Sequence, residues 1–160
     1  MGLVILLPTY HDNFERPKAG LQRAPASFTK IVMNDLALLE AFEDCSLSPA
    51  ALRHRDHIFV AWSYLQRASF GAAGDRFCAN LRRFAEAHGK TKLFHETITW
   101  AYVTLIHERM QHGPSTFAAF AEANPDLFDH AGGALARIYD KETLASEHAR
   151  RVFVFPRGRG

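Results

Sequence analysis

Apolar residues recur along this chain at helical rather than strand spacing. Phe28, Ile31, Val32, Leu36, Leu39 and Phe42 lie three or four residues apart, which lines one face of a helix with 3.6 residues per turn. Ser27 precedes them as an N-cap, and this helix is expected to end near Asp44. Ser48-Pro49 opens the next turn, a cap followed by a first-position proline. A second helix is expected from about His54 to Ala68, carrying Ile58, Val60, Trp62 and Leu65. Phe70-Gly-Ala-Ala-Gly74 reads as a break. After it Asp75 caps a third helix, with Phe77, Leu81, Phe84 and Ala85 on one face and Gly89 as its stop. The fourth helix is expected to be the longest, about Lys92 to His112, ending at Gly113-Pro114. A shorter fifth starts at Ser115 and is interrupted at Asn124-Pro125, and weaker segments continue to about Arg151. Val152-Phe-Val-Phe155 reads as a short extended piece stopped by Pro156.

Ahead of Ser27 the pattern fails. Pro8, Pro17, Gly20 and Pro25 interrupt a stretch without periodicity, so residues 1–26 read as an irregular N-terminal arm and 27–156 as one helical domain. The expected fold is all-α, a compact single-domain bundle of five to seven helices. A length of 160 residues suits one domain, and a 48% apolar composition with 13 Phe supplies a core without staples. Cys45 and Cys78 have no C-x-x-C spacing and read as small buried hydrophobes in a reducing compartment.

Charge removes several function classes. A formal net charge of +2 gives no argument for nucleic acid. Arg150, Arg151, Arg157 and Arg159 form the one dense basic stretch and read as a solvated terminus. The Leu3–Leu7 run lacks a basic n-region and meets Pro8 at once, so it is not a targeting signal. No apolar stretch approaches the ~20 residues needed to span a bilayer. These features predict a cytoplasmic protein that binds neither nucleic acid nor membrane.

The candidate chemistry lies in the histidines, of which there are 9. His54 and His57, three apart on the second helix, sit about 60° apart on one face. His95 and Glu96 open the fourth helix. Imidazole and carboxylate together are the usual ligands for zinc or iron, and equally the usual pair for acid–base work near neutral pH. The bland alternatives are a chance histidine pair and a helix start whose Glu96 is favoured by the dipole. Glu96 and His107 share a face but stand roughly 16 Å apart along the axis, too far for one ion. His88 reads as a C-terminal cap. His11, His112, His130 and His148 take no role. No G-x-S-x-G elbow, P-loop, dinucleotide fingerprint, H-E-x-x-H or paired Glu-x-x-His element is present.

The order of these pieces resembles a family of small bacterial helical proteins known mostly as hypothetical. Its pattern is a helix ending Phe-Glu, a Pro, a His-x-x-His leading into Val-Ala-Trp-x-Tyr-Leu, a Tyr-His-Glu-Thr-x-Thr helix, and a late Ser-x-x-Ala-Arg-x-x-Phe. Here stand Phe42-Glu43, Pro49, His54-Arg-Asp-His57, Val60-Ala-Trp-Ser-Tyr-Leu65, Phe94-His-Glu-Thr-Ile-Thr99 and Ser146–Phe153. The chain departs from the pattern at Leu52-Arg53, where an aromatic and a Thr are usual, and at Phe94, which replaces the Tyr. Its approach to Phe94 is also shorter. The resemblance implies a shared His/Glu pocket and names no reaction.

Three readings follow. In the first, the chain is a metal-dependent enzyme acting on a small molecule. His54, His57 and His95 hold a divalent zinc or iron ion, with Glu43 or Glu96 as fourth ligand. Glu96 serves as the catalytic base, and the open coordination position activates water or dioxygen. Trp62 and Trp100, with Tyr64 and Tyr102, supply walls, and Arg150 grips an anionic substrate. In the second, the same pocket binds a small molecule without metal or catalysis. In the third, the cluster only orders the core of a structural protein, such as a homodimer. The site readings require the start of the fourth helix to pack on the start of the second, so that His95 meets His54 and His57.

Overall fold

A computed structural model describes residues 26–129 and 133–156, with side chains from Asp35 onward. Among the described residues there are helices and no strands. Eight α-helices run in order: α1 (Ala26–Glu43), α2 (His54–Leu65), α3 (Phe70–Ala87), α4 (Glu96–Met110), α5 (Phe117–Ala123), α6 (Ala134–Ile138), α7 (Lys141–Ala145) and α8 (Glu147–Arg151). Single 3-10 turns at Thr91–Leu93 and Pro125–Leu127 lead into α4 and follow α5. Five of the helices have seven residues or more, which matches the expected all-α architecture. The expected irregular arm lies outside the described residues, apart from Ala26, which is already helical. Ser27 therefore sits inside α1 rather than at its N-cap.

α2 is the central element. It packs against both α3 and α4. Seven of its residues, Ile58 through Ala61 and Ser63 through Leu65, are buried, so it has contacts on nearly every side and little amphipathic contrast. Phe42 at the end of α1 is fully buried against Phe77 and Phe84 of α3, with ring centroids 6.4 and 5.5 Å apart. Leu39 joins this core, whereas Leu36 is 50% exposed and departs from the expected apolar face. On the other side, Trp62 and Phe59 of α2 meet Phe117 of α5.

Two helix boundaries differ from the expectation for physical reasons. α3 begins at Phe70 and runs straight through Gly71 and Gly74, so the glycine pair is not a break. Gly74 is where Trp100 of α4 crosses α3: a Cβ there would lie 2.4 Å from the indole Cζ3 and 2.6 Å from Cη2. The residue is small because a ring occupies its side-chain space. α4 is 15 residues long and starts at Glu96, so it is shorter than the 18-residue α1 and α3. Its expected first turn is instead the 3-10 turn Thr91–Leu93.

The turn after α1 is closed by the Leu47 N–H, which donates to the Ala41 carbonyl at 2.9 Å. Cys45 adopts φ +63° in that turn, the left-handed conformation usually given to glycine. At the other end of the chain, Val152–Phe155 is non-helical, as expected. The Thr97 hydroxyl donates to the Val152 carbonyl at 2.8 Å and accepts from the Val154 N–H at 3.1 Å, while the Tyr139 hydroxyl donates to the Val154 carbonyl at 2.8 Å. The two Thr97 bonds hold the Val152–Val154 segment, and α8 with it, against α4.

Candidate functional site

A cavity of about 720 Å³ lies between α2, α3, α4 and the α6–α7 segment. Its walls are mostly apolar, with Ile58 and Ala61 from α2, Phe77, Leu81 and Phe84 from α3, and Ile106 from α4. Four histidines also line it: His54, His57, His88 and His95. The start of α2 and the start of α4 thus border one space, and the three histidines singled out from sequence share it.

Local folding rules place each of them. Asp56, at the third position of α2, accepts the backbone N–H of Arg53 at 2.8 Å and fixes the start of that helix. His54 and His57 then occupy the first turn. The His54 Nε2–H donates to the Leu127 carbonyl at 2.8 Å, and its ring meets Tyr102 edge-on at 5.1 Å. His88 caps the end of α3. Its Nδ1 bonds the Phe84 carbonyl at 2.8 Å, and its ring lies 4.4 Å from that of Phe84. Gly89 follows with φ +65° and ends the helix.

His95 is the most constrained of the four. It is the N-cap of α4, and its Nδ1 accepts the Ile98 N–H at 3.3 Å. Its Nε2 donates to the Leu144 carbonyl at 2.9 Å. A carbonyl can only accept and a backbone N–H can only donate, so these partners fix the neutral Nε2–H tautomer. Both nitrogens are engaged, and the residue is 7% exposed. His95 ties α4 to α7 and has no lone pair left for an ion.

The carboxylates expected beside the histidines are turned elsewhere. Glu43 Oε1 accepts the Tyr64 hydroxyl at 2.7 Å and Arg76 at 2.8 Å. The Tyr64 hydroxyl in turn accepts Asn80 at 2.8 Å. Burial and, next, the bond to Glu43 push the Tyr64 hydroxyl up to about 12. Glu96 pairs with Arg82 and accepts the Trp100 indole N–H at 3.0 Å. It faces a separate, shallower groove of about 300 Å³ that also holds Lys92, Arg150 and Arg151. Among the described residues, no group of three or more His, Cys, Asp or Glu side chains could hold a metal ion. Of the expected ligands, His54, His57 and His95 share the cavity, with His95 bonded to the backbone at both nitrogens, whereas Glu43 bonds Tyr64 and Arg76 and does not line it.

Three further residues have structural surroundings. Trp62 packs on Phe117 and Phe120, and its buried indole N–H has no hydrogen-bond partner among the described residues. Trp100 fills the space above Gly74 and meets Phe70 at 6.1 Å. Neither lines the cavity. Arg150 donates to the Lys92 carbonyl at 2.8 Å and the Phe94 carbonyl at 3.4 Å, bracing α8 against the entry to α4.

The sequence reading missed part of the cavity wall. Phe77, Leu81, Phe84 and His88 form a stripe at helical spacing, which marks a buried face but not whether that face meets a core or a cavity. Tyr102 was legible as a wall candidate. Burial, with Asp129 and Asp126 nearby, holds its hydroxyl above the usual phenol range. Cys78 is buried, and burial first, then Glu96, pushes its thiol up to about 12, consistent with an inert hydrophobe. Among the described residues, no helix is long and apolar enough to cross a membrane. Comparison with protein-family models, with curated proteins and with solved structures finds no match.

Proposed function

We propose that the chain is a binding module for a small, largely apolar molecule held in the cavity between α2, α3, α4 and α6–α7. The observation that carries this reading is the cavity's size and lining. Close packing leaves few voids larger than a water molecule inside a domain, whereas this space of about 720 Å³ falls in the range of ligand pockets. Apolar walls supply affinity through burial, and a few fixed polar groups orient the occupant. Here the polar groups include Tyr102 and the histidine edges. The metal-dependent reading draws no support from His95, whose two nitrogens bond backbone, or from Glu96, which faces the other groove.

The test uses a neutral fluorescent probe, 1-aminoanthracene, titrated into the full chain. Saturable brightening is expected, and Ala85→Leu should abolish it. Ala85 is 8% exposed and lines the cavity, so two more methyl groups and a methine carbon would project into that space. Circular dichroism of the variant should show unchanged helix content. No saturable signal, or an equal signal from a folded Ala85→Leu variant, would overturn the proposal.

A further inference from the structure

The charges around the same cavity suggest which kind of apolar molecule it takes. We infer that the ligand is an anionic amphiphile, an apolar body with a carboxylate or similar head, whose head lies toward Lys90 and Lys141 while its body lies along Phe77, Phe84 and Ile106. The inference rests on the cavity being a binding site.

Lys90 and Lys141 line the cavity and are both exposed, as is Leu93, three residues after Lys90, at 71%. The His95–Leu144 hydrogen bond joins the segments that carry the two lysines. Lys90 precedes the 3-10 turn that leads into His95, and Lys141 opens the helix whose Leu144 carbonyl accepts the His95 proton. Neither lysine forms a salt bridge among the described residues.

Two carboxylates, Asp140 and Asp129, also line the cavity. Asp140 caps α7: one carboxylate oxygen accepts the Thr143 N–H at 2.6 Å and the other the Thr143 hydroxyl at 3.0 Å. Asp129 also lines the cavity and acts on the Tyr102 hydroxyl. Two longer helices, α2 and α4, also begin at the cavity, with His54 at the first position of α2 and His95 as the N-cap of α4. Helix N-termini carry partial positive charge, which adds to the lysines in favouring an anion. An apolar interior with cationic groups at its edge is the chemistry of a hydrophobic acid, not of a neutral oil or an amine.

The experiment compares decanoate, decanol and decyltrimethylammonium by isothermal titration calorimetry on the full chain, at low and moderate salt. Wild-type protein should prefer decanoate, and Lys90→Gln/Lys141→Gln should weaken decanoate about five- to tenfold, as expected for two exposed charge contacts. Decanol should bind the double variant as it binds wild type, within about twofold. The decanoate preference should shrink as salt screens the contact. Equal or tighter binding of decanol, preference for the ammonium, or equal loss of both ligands in the double variant overturns the inference. Failure of every ten-carbon probe overturns it too. The neutral 1-aminoanthracene titration then decides separately whether the cavity reading survives.

Discussion

Gly71 and Gly74 stand three residues apart in α3, and alanine should have opposite effects at the two positions. Glycine inside a helix is less favourable than alanine by roughly 0.5–1 kcal/mol, through the freedom it loses on folding. A Cβ at Gly71 would meet nothing within 4 Å. Gly71→Ala should therefore stabilise the fold by about 0.5 kcal/mol, the lower end because the position lies in the first turn. At Gly74 the same gain is opposed by contacts of 2.4 and 2.6 Å with Trp100, roughly 1 Å closer than carbon atoms sit at optimal separation. Trp100 cannot swing away freely, because its indole N–H is bonded to Glu96 at 3.0 Å and Phe70 lies against it. Forcing extra carbon into a packed site costs about 1–3 kcal/mol, so Gly74→Ala should be net destabilising by about 1–2 kcal/mol. For a chain of this length that lowers the thermal midpoint by about 2–8 °C. The assay is urea unfolding of wild type, both single variants, Trp100→Leu, and Gly74→Ala/Trp100→Leu. The last should show a favourable coupling of about 1 kcal/mol or more, because the smaller side chain gives the new methyl room. Stabilisation by Gly74→Ala, or purely additive effects in the double variant, would refute the reasoning.

Other substitutions test single contacts. His95→Ala should cost about 2 kcal/mol, from one lost cap and one lost bond to Leu144, and His95→Asn should recover about 1 kcal/mol by restoring the cap; chemical denaturation measures both. Arg109 grips Asp126 with bonds of 2.5 and 2.9 Å and holds its carboxyl below the usual range, so Asp126→Asn should cost about 1–2 kcal/mol at pH 7. Because the folded-state value is depressed, that contribution is full above about pH 4 and is lost as pH falls through the folded value; the wild-type and variant stability curves should converge in acid. At the left-handed Cys45 position, Cys45→Gly should be more stable than Cys45→Ala by about 1 kcal/mol in a thermal melt. Thr97→Val keeps shape but removes both bonds to the chain end, and limited proteolysis should then cut near Val152 at lower protease concentration.

What could be read from sequence followed the range of the interactions involved. The helical spacing of Phe77, Leu81 and Phe84 and the first-turn positions of His54 and His57 are local patterns, and the structure reproduces them. Gly74 was misread because its helix penalty is local, while its reason, Trp100, is 26 positions away. The roles of Glu43 and Glu96 depended on Arg76 and Arg82, partners from α3 that no spacing rule selects. The capping role of His95 was not legible because an imidazole at a helix start has the same sequence signature whether it binds an ion or caps the helix. Segments α6, α7 and α8 were faint because five residues show little more than one period.

Those short helices give the cavity two unequal sides. α2, α3 and α4 have 12, 18 and 15 residues and share the buried core, whereas the opposite wall draws on α6 and α7, with five residues each. Helices so short do not persist alone in water, so that wall depends on its ties: His95 to Leu144, Tyr139 to Val154, and Thr97 to the chain end. Amide protons there should exchange with solvent at far lower opening free energy than those of α2. Admitting a molecule then requires no global unfolding: one side can loosen while the other keeps its shape, and an occupant bridging both should slow exchange chiefly in α6 and α7.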